Sequence, residues 1–217
     1  MRVALVLTVV LVAACAAPAA ATAAPGVLED NLATEWRQIQ NFVPVGNRYR
    51  GSWVAIDYTP PTAVAVTAFR HHYVYNTAPL KNQLNFQLIR GQNPGVGSLV
   101  ATWSVAAAKW TEFDTGWILF SRRVYLCTVP FNPPRTLSPS ARYWFAYQSE
   151  NNLAPNIIYW AFRASIKGDL MWYKPSGTLP WRSIYELAGN VDGSYRLDGG
   201  FTGVAPSSFG KIKALYR

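Results

Sequence analysis

The sequence predicts an all-β protein: an antiparallel β-sandwich, jelly-roll or Greek-key like, with at most a short N-terminal helix. Three observations carry this. Eight to ten segments alternate apolar and polar residues and are separated by Gly and Pro turns. Parallel strands need crossover helices, and the chain offers no set of helical segments to supply them. Hydrophobic residues are 50% and charged residues 14% of the 217 positions, which excludes a disordered chain, and the 14% aromatic share suits a sheet core.

The elements follow in order. Leu28, Leu32, Trp36 and Ile39 are spaced as on one helix face, which sets the expected N-terminal helix. From Trp53 the period becomes two, with Val54, Ile56 and Tyr58 as the inward set before the Thr59-Pro60-Pro61 turn. Residues 63–75 form a Val-, Thr- and aromatic-rich strand. Leu84, Phe86 and Leu88 alternate with Asn85 and Gln87, the cleanest strand pattern in the chain. Residues 91–97 read as a Gly-rich loop, 99–105 as a strand and 106–116 as a loop or bulged hairpin. A strand is expected over 117–129, broken by Pro130, Pro133 and Pro134. Further strands are expected over 142–148, 157–166, 170–174, 184–187 and 194–197, and Asp192-Gly193 reads as a hairpin turn.

The first residues are read as a leader rather than as fold. Arg2, an apolar run over 3–14 and small residues over 16–24 have the layout of a secretory signal peptide. Cleavage after Ala23 would follow the Ala21-Thr22-Ala23 pattern. Val12-Ala13-Ala14-Cys15 alternatively resembles a lipobox, which would make Cys15 a lipidation site. The domain reading is therefore a leader over 1–23, an N-terminal extension over 24–48 and a β-sandwich over 49–217. The expected location is secreted or cell surface, with lipid anchoring through Cys15 as the alternative, and no transmembrane span is expected in the mature chain. Cys127 then remains as a lone thiol in an apolar run, expected to be a buried small hydrophobe.

The formal charge is +9, but the basic residues are scattered. That is a diffuse field rather than a nucleic-acid tract, and it favours anionic surface polymers as partners.

No catalytic set emerges. His71 and His72 are adjacent on a strand, point to opposite faces and cannot share a metal from one surface. Glu112-Phe113-Asp114 is similar to part of a glycosidase E-x-D-x-E strand, but Gly116 stands where the third carboxylate belongs. There is no G-x-S-x-G elbow and no P-loop. Asn190 to Ser194 lacks the later carboxylates of a calcium loop, so no cofactor is expected, and a structural calcium stays open as an unsupported alternative.

Aromatic residues crowd the C-terminal third. Tyr159, Trp172, Tyr173 and Trp181, with Arg182, are the candidate ligand-binding set. Flat aromatic faces stack on pyranose C–H groups while neighbouring polar side chains bind hydroxyls. The competing reading is that such aromatics fill the core.

Ser52-Trp53-Val54-Ala55, Thr59-Pro60-Pro61, Asn93-Pro94-Gly95-Val96-Gly97-Ser98-Leu99 and the approach Leu137 to Trp144 resemble the choice-of-anchor domains. These are secreted bacterial β-sandwich domains. The resemblance implies a jelly-roll-like sandwich at the cell surface. It supplies no catalytic residues, and the C-terminal sorting anchor usual in that family has no counterpart here. The functional expectation is a non-catalytic module that binds glycan or envelope polymer. One alternative is a self-assembling subunit of an extracellular layer, filament or matrix, with edge pairing or residues 26–47 lending a strand to a neighbour. The other is a hydrolase.

Overall fold

A computed structural model describes residues 26–44, 51–75, 83–150, 158–163, 166, 168–185, 189 and 191–202. The expected leader and Cys15 lie outside them. Two antiparallel sheets pack face to face. The larger holds β1 (Gly26–Asp30), β2 (Ile39–Pro44), β4 (Val64–Tyr75), β7 (Thr111–Leu119), β8 (Arg122–Leu137), β10 (Ile158–Arg163), β13 (Asp192–Gly193) and β14 (Tyr195–Phe201). The smaller has the order β12 (Arg182–Ser183), β11 (Trp172–Lys174), β3 (Trp53–Tyr58), β9 (Tyr143–Ser149), β5 (Leu84–Arg90) and β6 (Ser98–Val105).

The long strand β4 is the spine of the larger sheet. One edge pairs with β8; the other pairs with β14 and then with β10. Its inward residues Val66, Phe69 and Tyr73 meet Val54, Ile56 and Tyr58 of β3, and Leu84, Phe86 and Leu88 of β5, across the sandwich. Both alternations read from the sequence thus point inward as expected. Cys127 is fully buried in the same layer. The two histidines do face opposite ways, and both are buried. His71 stacks on Phe69 and packs against Tyr147 and Trp160 in the core. His72, on the outer face, lies against Trp117 and hydrogen-bonds Ser194 Oγ through Nδ1 at 2.8 Å.

Four expectations are corrected. The N-terminal segment forms no α-helix: β1 and β2 flank a single 3-10 turn at Trp36–Gln38. Tertiary hydrogen bonds override the helical spacing here. Asn31 donates to Gly193 O at 2.9 Å, Ala33 N to Ser194 Oγ at 2.9 Å, and Arg163 donates to Leu32 O at 2.7 Å. Part of the stretch read as an extension is consequently built into the larger sheet. Second, no strand runs through Trp117 to Val129. The chain reverses at Phe120 and Ser121, with φ of 48° and 63°, the left-handed pair that a tight two-residue hairpin requires. Third, the prolines do not end β8. Val66 pairs with Arg135 and Ala68 with Pro130, so Pro133 and Pro134 sit in a ladder irregularity where a missing N–H costs nothing. Fourth, Asp192-Gly193 is not a turn; it pairs with Arg163 and Phe162 as β13.

Candidate binding cleft

The outer face of the smaller sheet carries an aromatic cover. Ala55, Ile89, Trp144 and Ala146 form a buried cluster, and Trp53, Trp172 and Trp181 pack on it. At one end of this cover opens a cleft of about 720 Å³, lined by residues that include Arg90, Gln92, Asn93, Arg142, Asp169 and Trp172.

The first wall is the loop between β5 and β6. Asn93 Oδ1 accepts from the Gly95 and Val96 amides at 2.9 and 3.1 Å, and Gly97 N donates to Asn93 O at 3.0 Å. A Cβ on Gly97 would sit 2.5 Å from Ile89 Cγ2, so the loop can close this tightly only on glycine. Two bonds fix its stem: Gly91 N donates to Arg142 O at 3.1 Å, and Trp144 Nε1 donates to Gly91 O at 3.0 Å.

Arg142, one residue before β9, forms the second wall. Its Nη1 contacts Asp169 Oδ2 at 3.0 Å and its Nε lies 3.6 Å from Asp57 Oδ2. Asp57 is buried, and desolvation raises its pKa; the Asp169 amide, donating at 2.8 Å, and the Arg142 charge oppose that rise. Asp57 opens not on this cleft but on a second one of about 510 Å³, beside Glu29, Asp30 and Gly168, and Arg142 lines both.

Trp172 supplies the flat wall. It is half-buried and meets Trp144 edge-on, with ring centroids 6.1 Å apart. Its partner on β3 is Ala55 of the outer face, whereas Tyr173 pairs with Val54 of the inner face. Successive strand residues point to opposite sides, and so the two aromatics separate.

The sequence-predicted set is divided accordingly. Trp172 lines the cleft, and Trp181 stands against the same loop: a Cβ on Gly95 would lie 3.6 Å from its Cβ. Arg182 is exposed on the neighbouring β12. Tyr173 is buried in the core, a correction to its place in a platform. Tyr159 is corrected too. It belongs to the larger sheet, packs on the cluster that includes Val74 and Val124, and lies under the Arg122 guanidinium at 5.1 Å. Arg90, Asn93, Arg142 and Asp169 were missed. The Gly-rich spacing of residues 91–97 signals a shaped loop, but nothing in the sequence ties it to positions 142, 169 and 172.

Glu112 and Asp114 lie on β7, away from this cleft, where Asp114 is held by Arg123 at 2.7 Å. Among the described residues, no group of three or more His, Cys, Asp or Glu is placed to hold a metal, and no helix is long and apolar enough to cross a membrane.

No family model and no curated protein matches the chain. Among solved structures, it is similar to the cysteine protease and lectin-like domains of a surface layer associated protein of Clostridium difficile. The identity is 10% and the TM-score 0.44, over 70% of this chain and 32% of that one. This chain therefore spans about a third of that neighbour's length. At this TM-score the likeness carries no inference about ligand or activity.

Proposed function

We propose that this protein is a non-catalytic cell-surface module that binds glycan in the Trp172 cleft. One observation carries the reading: a half-buried indole forms one wall of an open cleft whose other walls present Arg, Asn, Gln and Asp groups. A sugar ring stacks its C–H face on such an indole and turns its hydroxyls to the polar walls. The cleft is fixed before any ligand arrives, because its loop is held by backbone bonds and by Trp144. Preorganisation of this kind lowers the entropic cost of binding.

The carboxylates beside the cleft support a binding role rather than glycoside hydrolysis. Arg142 bridges Asp57 and Asp169, and the two open on different clefts. A glycosidase needs its two carboxyl groups flanking one scissile glycosidic bond, the acid at the oxygen and the base or nucleophile on the opposite face of the anomeric carbon.

Glycan-array screening followed by calorimetry tests the reading. Trp172→Ala is expected to weaken binding by about ten-fold or more, the cost of losing one stacked aromatic anchor in a binding hot spot. Trp172→Phe should restore part of it. Failure of the wild-type protein to bind any polysaccharide, at low as well as physiological salt, would end the proposal.

A second reading, self-association into a surface layer, is favoured by β6. This strand lies at the edge of the smaller sheet and pairs with β5 alone among the described strands. Two other edges are guarded: β7 carries Glu112, Asp114 and a bulge, and β12 is two residues long. β6 has a bulge at Val100, but its residues carry no charge and Leu99 and Val100 are exposed. Under this reading, light scattering at high concentration shows dimers or larger species, and Val100→Lys with Thr102→Lys abolishes them. A wild-type protein that stays monomeric at millimolar concentration removes it.

A further inference from the structure

Two arginines line the Trp172 cleft, and they differ in one respect. Arg142 is committed on both sides, to Asp169 and Asp57. Asp169, the one carboxylate among the lining residues, is likewise committed to Arg142. Arg90, the exposed last residue of β5, has neither an ion pair nor a side-chain hydrogen bond among the described residues. Among the described residues, other guanidiniums have partners. Arg70 and Arg196 share Asp198, Arg123 holds Asp114, and Arg135 lies over Trp103.

The position of Arg90 is set by its strand. It pairs with Tyr143, the residue after Arg142, so the two arginines lie on neighbouring strands at the same end of the sheet, where both line the cleft. The cleft therefore holds one arginine bridged to two carboxylates, Asp169 and Asp57, and a second arginine, Arg90, with no ion pair of its own among the described residues. A neutral sugar leaves that cation unanswered, whereas an acidic sugar completes the site. Guanidinium pairs with carboxylate or sulfate through two parallel hydrogen bonds, stronger and more directional than a hydroxyl contact. The +9 charge of the chain adds long-range attraction for a polyanion but cannot fix its register.

We infer that the ligand class is an acidic polysaccharide, whose ring stacks on Trp172 and whose anionic group is taken by Arg90. This rests on the cleft being a glycan site. The shared chemistry is a ring-borne anion, and two polymers separate its sources. Polygalacturonate carries carboxylates and dextran sulfate carries sulfates. Methyl-esterified polygalacturonate and plain dextran are their uncharged counterparts.

Binding of each polymer is measured at about 150 mM salt, where diffuse attraction is screened beyond about 8 Å. The expected result is at least a ten-fold preference for one anionic polymer over its uncharged partner, the scale of a charge-assisted pair. Arg90→Gln should reduce that preference to about two-fold, weakening the anionic polymer several-fold more than the uncharged one. Lys109→Gln removes the same charge from an exposed site outside the cleft lining and should change little. Equal losses in the two variants would assign the preference to the general field and overturn the inference. So would equal, Trp172-dependent binding of charged and uncharged polymers, which leaves the glycan site standing. Binding of none of the four by wild type, with no hit on the array, overturns both.

Discussion

Acidifying the protein from pH 7 to pH 5 is expected to lower its melting temperature by about ten degrees. His71 and His72 are the cause. Burial pushes His71 down from 6.5 to about 3, helped by the nearby His72. Burial also pushes His72 down to about 4, helped by the Arg163 charge. Below pH 6.5 the unfolded chain protonates both imidazoles while the folded chain cannot. The unfolded state then binds more protons, and stability falls as pH falls. The loss begins near 6.5 and continues to about 4 for His72 and about 3 for His71. At pH 5 the two groups together cost on the order of 4 kcal/mol. That is roughly ten degrees for a chain of this size. Asp57 works in the opposite sense, since burial raises its folded pKa and protonation relieves it. His71→Phe keeps an aromatic ring against Phe69 and Trp160 and removes one titration, so it should about halve the slope of melting temperature against pH. Imidazole resonances that titrate near 6.5 in the folded protein would refute the account.

The same two histidines show how far the sequence could be read. Adjacent strand residues must face opposite ways, and His71 and His72 do. That both are buried needed the fold: the outer face at His72 is covered by Trp117 from the β7–β8 hairpin and tied to Ser194. Alternation at Val54, Ile56 and Tyr58, and at Leu84, Phe86 and Leu88, placed the core because a two-sided strand with one wet face leaves a period-two signature. The misreadings share one cause: the local signal was absent or was outweighed by distant contacts. Phe120-Ser121 makes a left-handed turn without glycine or asparagine, so no turn signature marked it. Pro133 and Pro134 look like strand breakers until the ladder irregularity opposite Val66 and Ala68 is seen. Asp192-Gly193 has the residues of a turn but is captured by β10. The binding cleft was the least legible. One of its aromatics, Trp172, could be nominated from composition. Its polar walls come from positions 90–93, 142 and 169, which only the packed sandwich brings together.

Gly199→Ala should be among the most damaging single-methyl changes in this chain. Gly199 lies in β14 between β1 and β4, opposite Gly26 on one side and Val66 on the other. The β14–β4 register shifts between Asp198 and Gly199. At this bulge a Cβ would fall 2.2 Å from Ala65 O, 3.0 Å from Ala65 C and 2.7 Å from Leu28 Cδ1. The first two are backbone atoms of the central strand and cannot move without disturbing the ladder on both sides. Leu28 packs on the main core, so shifting it transmits the strain inward. Overpacking against a rigid backbone costs about 3 kcal/mol. That should lower the urea midpoint of a cooperative transition by about 1 M or more while leaving its slope unchanged. Gly177→Ala is the control, because nothing lies within 4 Å of its added methyl group. It should be neutral or slightly stabilising, through the lower entropy of the unfolded chain. If Gly199→Ala matched wild type, the close approach of β14 to β4 at the bulge would be wrong, and with it the placement of Asp198 between Arg70 and Arg196. If both variants lost the same stability, backbone propensity rather than the clash would be responsible.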